Sequence, residues 1–523
     1  MSWQPEKALS KVKIEKRDKL TFVAAFVCGL LAHMYMFTNK FPNYDDVTAT
    51  FGGCGSSYEL GRWGLAFLDE LRELFLGGMS MPWLNGIFTL AMLSLSAVLV
   101  VRLLDIRDVC YAMAVGGILT VFPAVVSLMF FMFTAPYYSI AVLCGSLGVY
   151  LAAKKKYGWI AAIGLFCFSV GIYQAYIGWI AGLMILYLLR KSLEERDTFG
   201  QMFRKALGFA GMLVAGLALY LILNTLILRC MDITLSSYQG MDSMGRKSVS
   251  ELWQGLQKSI FLYFDLRIHE YAGITTSKVI RLFLCGYLVW DLFLILQYVF
   301  YGKKTKEQWL RKSASVILLF CFPIAVFSIY LVAGARSGVY TLMLYSVSLL
   351  FVIPVVLTEH IREGDGPDFS GKLRSLGNMA VFATLIASTF IYIHVANQHY
   401  TWMQMDFNRS YSYLTTLVSQ IKETENYSDQ YPVAFVGDRI EDDSLNQKET
   451  AYLDITIGGV DSIVNMYSMY DFISMYCGYQ YTAATEEEIM ARKEQIQSMP
   501  LYPEDGSVQV IDGVVVVKFQ ELQ

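Results

Sequence analysis

The stretch Tyr111–Phe131, YAMAVGGILTVFPAVVSLMFF, runs for 21 residues without one charged side chain. A helix of that length rises about 30 Å, the thickness of a bilayer's hydrocarbon core. It lacks the alternation of apolar and polar residues that marks a strand of a membrane barrel. Comparable runs recur at Leu20–Thr38, Leu84–Leu104, Tyr138–Ala153, Trp159–Gly171, Tyr176–Leu189, Leu207–Leu228, Val279–Phe300, Ser313–Val332, Tyr340–Leu357 and Asn378–Val395. They predict an all-α polytopic membrane protein with about 11 transmembrane helices. Composition agrees. Of 523 residues, 55% are apolar and only 17% charged, against about 25% charged in soluble domains. The 15% of aromatic residues suits a chain that meets the membrane–water boundary many times.

The fifth and sixth runs are short. Lys154–Lys156 and Arg190–Lys191 flank the pair on both sides. Both clusters belong on one side of the membrane, so the chain must turn near Tyr173–Gln174. Sorting the loops by side gives 24 Lys and Arg on one face and nine on the other. The positive-inside rule then places the N-terminus in the cytoplasm, and an odd number of spans leaves the C-terminus outside. Leu20–Phe37 lacks a small-residue cleavage site and reads as an anchor. The expected organisation is a basic cytoplasmic segment over 1–19, a membrane domain over 20–396 and an extracytoplasmic domain over 397–523. Long outside loops cover 39–83 and 230–277.

The net charge of −3 is unevenly spread: the segment 397–523 holds 7 Lys and Arg against 20 Asp and Glu, and the remainder holds 35 against 25. An acidic tail argues against nucleic acid or anionic lipid as its partner. Val433–Gly437 reads as a buried strand and Val508–Phe519 as a hairpin about Asp512-Gly513. Ser462–Tyr476 and Glu486–Ser498 read as helices, so the tail is a small α/β domain. In the first loop, Leu60, Trp63, Phe67, Leu68, Leu71, Leu74 and Phe75 recur at helical spacing, with Asp69, Glu70, Arg72 and Glu73 opposite. This predicts an amphipathic helix lying in the outer interface. Cys54 and Cys230 fall in outside loops and could bridge.

The sharpest chemical signal is Pro42-Asn43-Tyr44-Asp45-Asp46. Two adjacent carboxylates follow the first span directly, between a membrane anchor and an interfacial helix. Beside a low-dielectric surface a carboxylate gains basicity and can act as general base. The pair could also hold a divalent cation, Mg or Mn. In an extended loop the two would point to opposite sides, leaving one to face a substrate; Asp46, which adjoins the Gly-rich stretch Phe51–Ser57, is the favoured one. Arg336, in a tight outside turn, is a candidate phosphate clamp through bidentate hydrogen bonds. Arg267, His269 and Glu270 form a second polar cluster. Tyr137–Tyr138 and Tyr173–Gln174 occupy two short outside turns, where Gln174 could hydrogen-bond a sugar hydroxyl. Five scattered histidines lack metal spacing.

Asp45-Asp46, Gly61-Arg62-Trp63, Gly171-Ile172-Tyr173-Gln174-Ala175 and Asn397-Gln398 with Tyr400 and Met403 carry a resemblance. In their order and topology the chain resembles the GT-C glycosyltransferases. More narrowly it resembles the Gtr-type, serotype-converting glucosyltransferases that decorate bacterial O-antigen and related surface polysaccharides. The resemblance implies a sugar donor on polyprenyl phosphate, a surface glycan as acceptor, and inverting transfer at the outer face of the bacterial cytoplasmic membrane. It implies Asp45 or Asp46 as base and Arg336, Arg267 and His269 at the donor phosphate. Tyr44, Arg62, Tyr138, Gln174 and Glu270 would line the substrate site. A polysaccharide polymerase or ligase, or a transporter of lipid-linked glycans, are the rival readings.

Overall fold

The computed structural model describes residues 14–39, 42–55, 57–194, 197–236, 247–300, 305–335, 338–361, 368–437 and 464–522. These fall into two compact units. Of the described residues, one comprises those up to Thr38 with Cys54–Asn397; the other comprises those within Asn39–Gly53 with 398–437 and 464–522.

In the first unit each predicted run becomes a helix, but only ten helices among the described residues are long and apolar enough to cross a bilayer. The exception is Gly158–Ile172, whose 15 residues rise only about 22 Å. It packs through small residues: a Cβ on Gly148 would meet the Phe166 ring at 2.6 Å, and one on Gly216 would lie 2.9 Å from Phe166. The predicted turn falls at Tyr173, which leaves helical geometry and is followed by the single turn Gln174–Tyr176 and the helix Ile177–Leu193. Two spans break. Phe122 is extended (ψ 141°), dividing Val109–Val121 from Pro123–Phe130, because a residue before proline is pushed out of the helical region. The span beginning at Thr341 is a 3-10 stretch to Phe351, then the helix Ile353–His360.

Helices apolar on all sides are so for two reasons. Pro123–Phe130 and Thr341–Phe351 are buried throughout and form the centre. Phe199–Met231 instead leaves Val214, Leu226 and Ile222 exposed, as a lipid-facing helix should. Polar rivets tie the centre together. Tyr345 donates to the Leu119 carbonyl at 3.0 Å and Thr120 to that of Ala25 at 2.8 Å. His33 lies 2.9 Å from the Thr120 carbonyl, which accounts for one scattered histidine. The long loop that follows Phe199–Met231 holds a helix that the sequence reading missed, Val249–Asp265. Its signal was the capping box of Ser248 and Glu251. The last span is likewise the start of a much longer helix, Asp368–Glu423. Cys54 and Cys230 are free thiols, one buried and one exposed.

In the second unit a three-stranded sheet has the order β1 (Val433–Val436), β3 (Val514–Lys518), β2 (Val508–Ile511). β1 runs parallel to β3 and β2 antiparallel to it. The hairpin turns at Asp512-Gly513, both at positive φ (43° and 77°), as a two-residue primed turn requires. β3 is central and wholly buried, which its unbroken valine run anticipates. The helix Met466–Tyr476 forms as predicted, whereas Glu486–Ser498 divides into Glu486–Met490 and Lys493–Ser498.

Candidate active site

Asn43 decides the local structure of the acidic pair. Its side-chain oxygen accepts from the Asp46 backbone N–H at 2.8 Å and caps the short helix Tyr44–Thr48. The stretch is therefore helical and not extended. Successive side chains diverge by about 100°, so the two carboxylates aim differently without opposing each other. Asp46 is buried and Asp45 half-buried. This helix packs on Met466–Tyr476 within the second unit. The Tyr467 phenol donates to Asp45, and Tyr44 meets the Tyr467 ring edge-on at 5.6 Å. Burial, then the Asp46 charge, push the Tyr476 phenol up to about 12. Among the described residues no group of three or more His, Cys, Asp or Glu gathers that could hold a metal ion.

In the first unit, Arg62, Tyr138 and Gln174 come together. The Arg62 guanidinium lies 4.9 Å over the Tyr173 ring, and the Tyr138 ring packs against Tyr173 at 4.7 Å between centroids. Gln174 donates to the Leu60 carbonyl at 2.8 Å and to the Tyr220 hydroxyl at 3.0 Å. Tyr220 donates in turn to the Gly61 carbonyl at 3.0 Å. Gly61 sits at φ 67°, and a Cβ there would lie 2.6 Å from the Tyr220 oxygen. A Cβ on Gly64 would lie 2.9 Å from the Gly171 backbone, and one on Gly171 would lie 2.6 Å from the Trp63 ring. The stretches around Gly61 and Gly171 thus form one packed junction. Gln174 holds the turn 58–61 in place through its amide donors. Gln174→Leu should cost about 1–3 kcal/mol, because it leaves buried acceptors unmet; thermal unfolding of the purified protein checks this.

The predicted amphipathic helix forms as Trp63–Leu76, and Leu74, Phe75 and Leu76 are exposed along it. Asp69 departs from the expected pattern: it is buried, not solvent-facing. It accepts from the Tyr137 phenol at 2.6 Å and from Arg72 Nη2 at 2.9 Å and Nε at 3.1 Å. Tyr58 donates to Glu70 at 2.8 Å, and burial, followed by Glu70, pushes its phenol up to about 12.

The candidate phosphate ligands are placed differently. Arg336 lies outside the described residues. Arg267 is buried, donates to the Leu284 carbonyl at 3.1 Å and to the Tyr263 carbonyl, and lies 4.3 Å over the Tyr263 ring. Those contacts tie it to the helices around it. His269 and Glu270 are exposed, and His269 Nδ1 lies 2.7 Å from Asp265.

The model of the family described as Glucosyl transferase GtrII matches residues 34–357. The chain belongs to the GtrII glucosyl transferase family. Searches of curated proteins and of solved structures return no match. This GtrII chain is a multi-pass membrane glycosyltransferase. The matched region contains every site residue proposed from the sequence, from Tyr44 to Arg336. It ends before Tyr467 and the sheet. Tyr467 was invisible in the sequence because 422 positions separate it from Asp45, and no local spacing links them.

Proposed function

We propose that the protein transfers glucose from a polyprenyl-phosphate donor to a cell-surface polysaccharide at the outer face of the bacterial cytoplasmic membrane. The observation that carries this is the carboxylate pair Asp45-Asp46, capped into a helix and falling inside the region matched to a glucosyl transferase family. One carboxylate takes the proton of an acceptor hydroxyl. The oxygen attacks the anomeric carbon as the bond from that carbon to the phosphate oxygen breaks, and polyprenyl phosphate leaves. A single displacement inverts the anomeric centre. The leaving group is already an anion, so positive charge is what it needs, and Arg336 is the proposed source. A donor on polyprenyl phosphate also accords with the absence of a nucleotide-binding motif in the sequence.

The purified protein should transfer glucose from synthetic polyprenyl-phosphoglucose to acceptor glycan and should not use UDP-glucose directly. Transfer from UDP-glucose alone would sink the donor assignment. The excess of basic residues in one set of loops supports a cytoplasmic N-terminus. A reporter active only in the cytoplasm, fused after Gln523, should be silent; full activity would reverse the orientation.

A further inference from the structure

The geometry points to Asp45 as the base and to Tyr467, from the C-terminal unit, as the residue that positions it. This rests on the base reading above and adds which carboxylate serves and what holds it. Asp46 is buried, its backbone N–H bound to Asn43. Asp45 is more open, and its Oδ1 accepts the Tyr467 phenol proton. A phenol on one carboxylate oxygen fixes the side-chain rotamer of the acid. Tyr467 is itself held edge-on against Tyr44, one residue before Asp45, and its helix packs on the helix that carries both acids. The pair is therefore braced from two elements. Burial, then the Asp45 carboxylate, raise the Tyr467 phenol above its ordinary range, so it stays a donor. In the transfer step Asp45 gains the acceptor's proton while Tyr467 keeps its own. Tyr467 as a whole residue is 54% exposed.

Three variants of the full-length protein test this, with transfer from polyprenyl-phosphoglucose as the assay. Tyr467→Phe keeps the ring and its packing and removes only the hydroxyl. It should lower kcat by about tenfold, as loss of a hydrogen bond to a charged group implies, with KM for acceptor little changed. Asp45→Asn should abolish most transfer. The double variant should be no slower than Asp45→Asn alone, because the two residues act as one unit. If Asp45→Asn is inactive while Tyr467→Phe keeps the parental kcat, or changes only KM, the base reading stands and the role of Tyr467 is overturned. If the double variant is slower than Asp45→Asn by the full Tyr467→Phe factor, the residues act independently and the pairing fails. Parental rates in Asp45→Asn overturn the base itself and the positioning role with it.

Discussion

Asp45→Asn is expected to slow glucosyl transfer by about 10²–10⁴-fold, the usual cost of removing a general base. The substitution is nearly isosteric, and the amide oxygen can still accept the Tyr467 phenol. The short helix should survive as well, because its cap comes from Asn43 and a neighbouring backbone N–H and not from Asp45. The loss should therefore fall on kcat, with little change in unfolding temperature. Asp46→Asn is the informative comparison. Asp46 is 7% exposed, so its change should act through local packing and reduce transfer less. Glucose transfer from the lipid-linked donor, with each variant checked for monodispersity, separates the two. Parental rates in both variants would remove this helix from the chemistry and favour the polymerase or transporter reading.

The spans were legible because a bilayer demands long uncharged runs, such as the 21 uncharged residues in a row at 111–131. The hairpin at Asp512-Gly513 was legible for an equally local reason, since two successive positive φ values need that dipeptide chemistry. The site was only half legible. Residue type and position along the chain pointed to Asp45 and Asp46, with Asp46 favoured as base, and to Arg62, Tyr138 and Gln174. What each side chain touches depends on partners far away in sequence. Arg267 reads as a loop cation, yet the Tyr263 and Leu284 carbonyls hold it among helices. Pro42 and the glycines after Phe51 suggest an open loop at 42–57, but one asparagine cap makes part of it helical. Asp69 looks solvent-facing by periodicity because its partner Tyr137 is 68 residues away.

Asp69 carries the second large effect. Asp69→Ala should destabilise the protein by about 3 kcal/mol, the lower end of the range for breaking a buried ion pair. The carboxylate holds the Tyr137 phenol, which is 4% exposed, and two nitrogens of Arg72. Without it the phenol loses its acceptor inside the protein, and the guanidinium loses its closest counter-charge. The loss stays below the upper end because Arg72 also donates to the carbonyls of Gly77, Gly78 and Met79, which it would retain. The consequence is local before it is global. Tyr137 opens the span Ala135–Lys154, so the Asp69 bond fastens the helix Trp63–Leu76 to that span. Its release should expose the 77–81 connection to protease while the spans stay protected by detergent or lipid. Asp69→Asn, which retains an acceptor but not the charge, should fall between. Glu73→Ala is the control: Glu73 lies 3.8 Å from the same Arg72 but is 44% exposed, and such pairs contribute about 0–1 kcal/mol. Equal protease sensitivity in Glu73→Ala and Asp69→Ala would show that net charge near Arg72, and not the buried Tyr137–Asp69 bond, docks the helix.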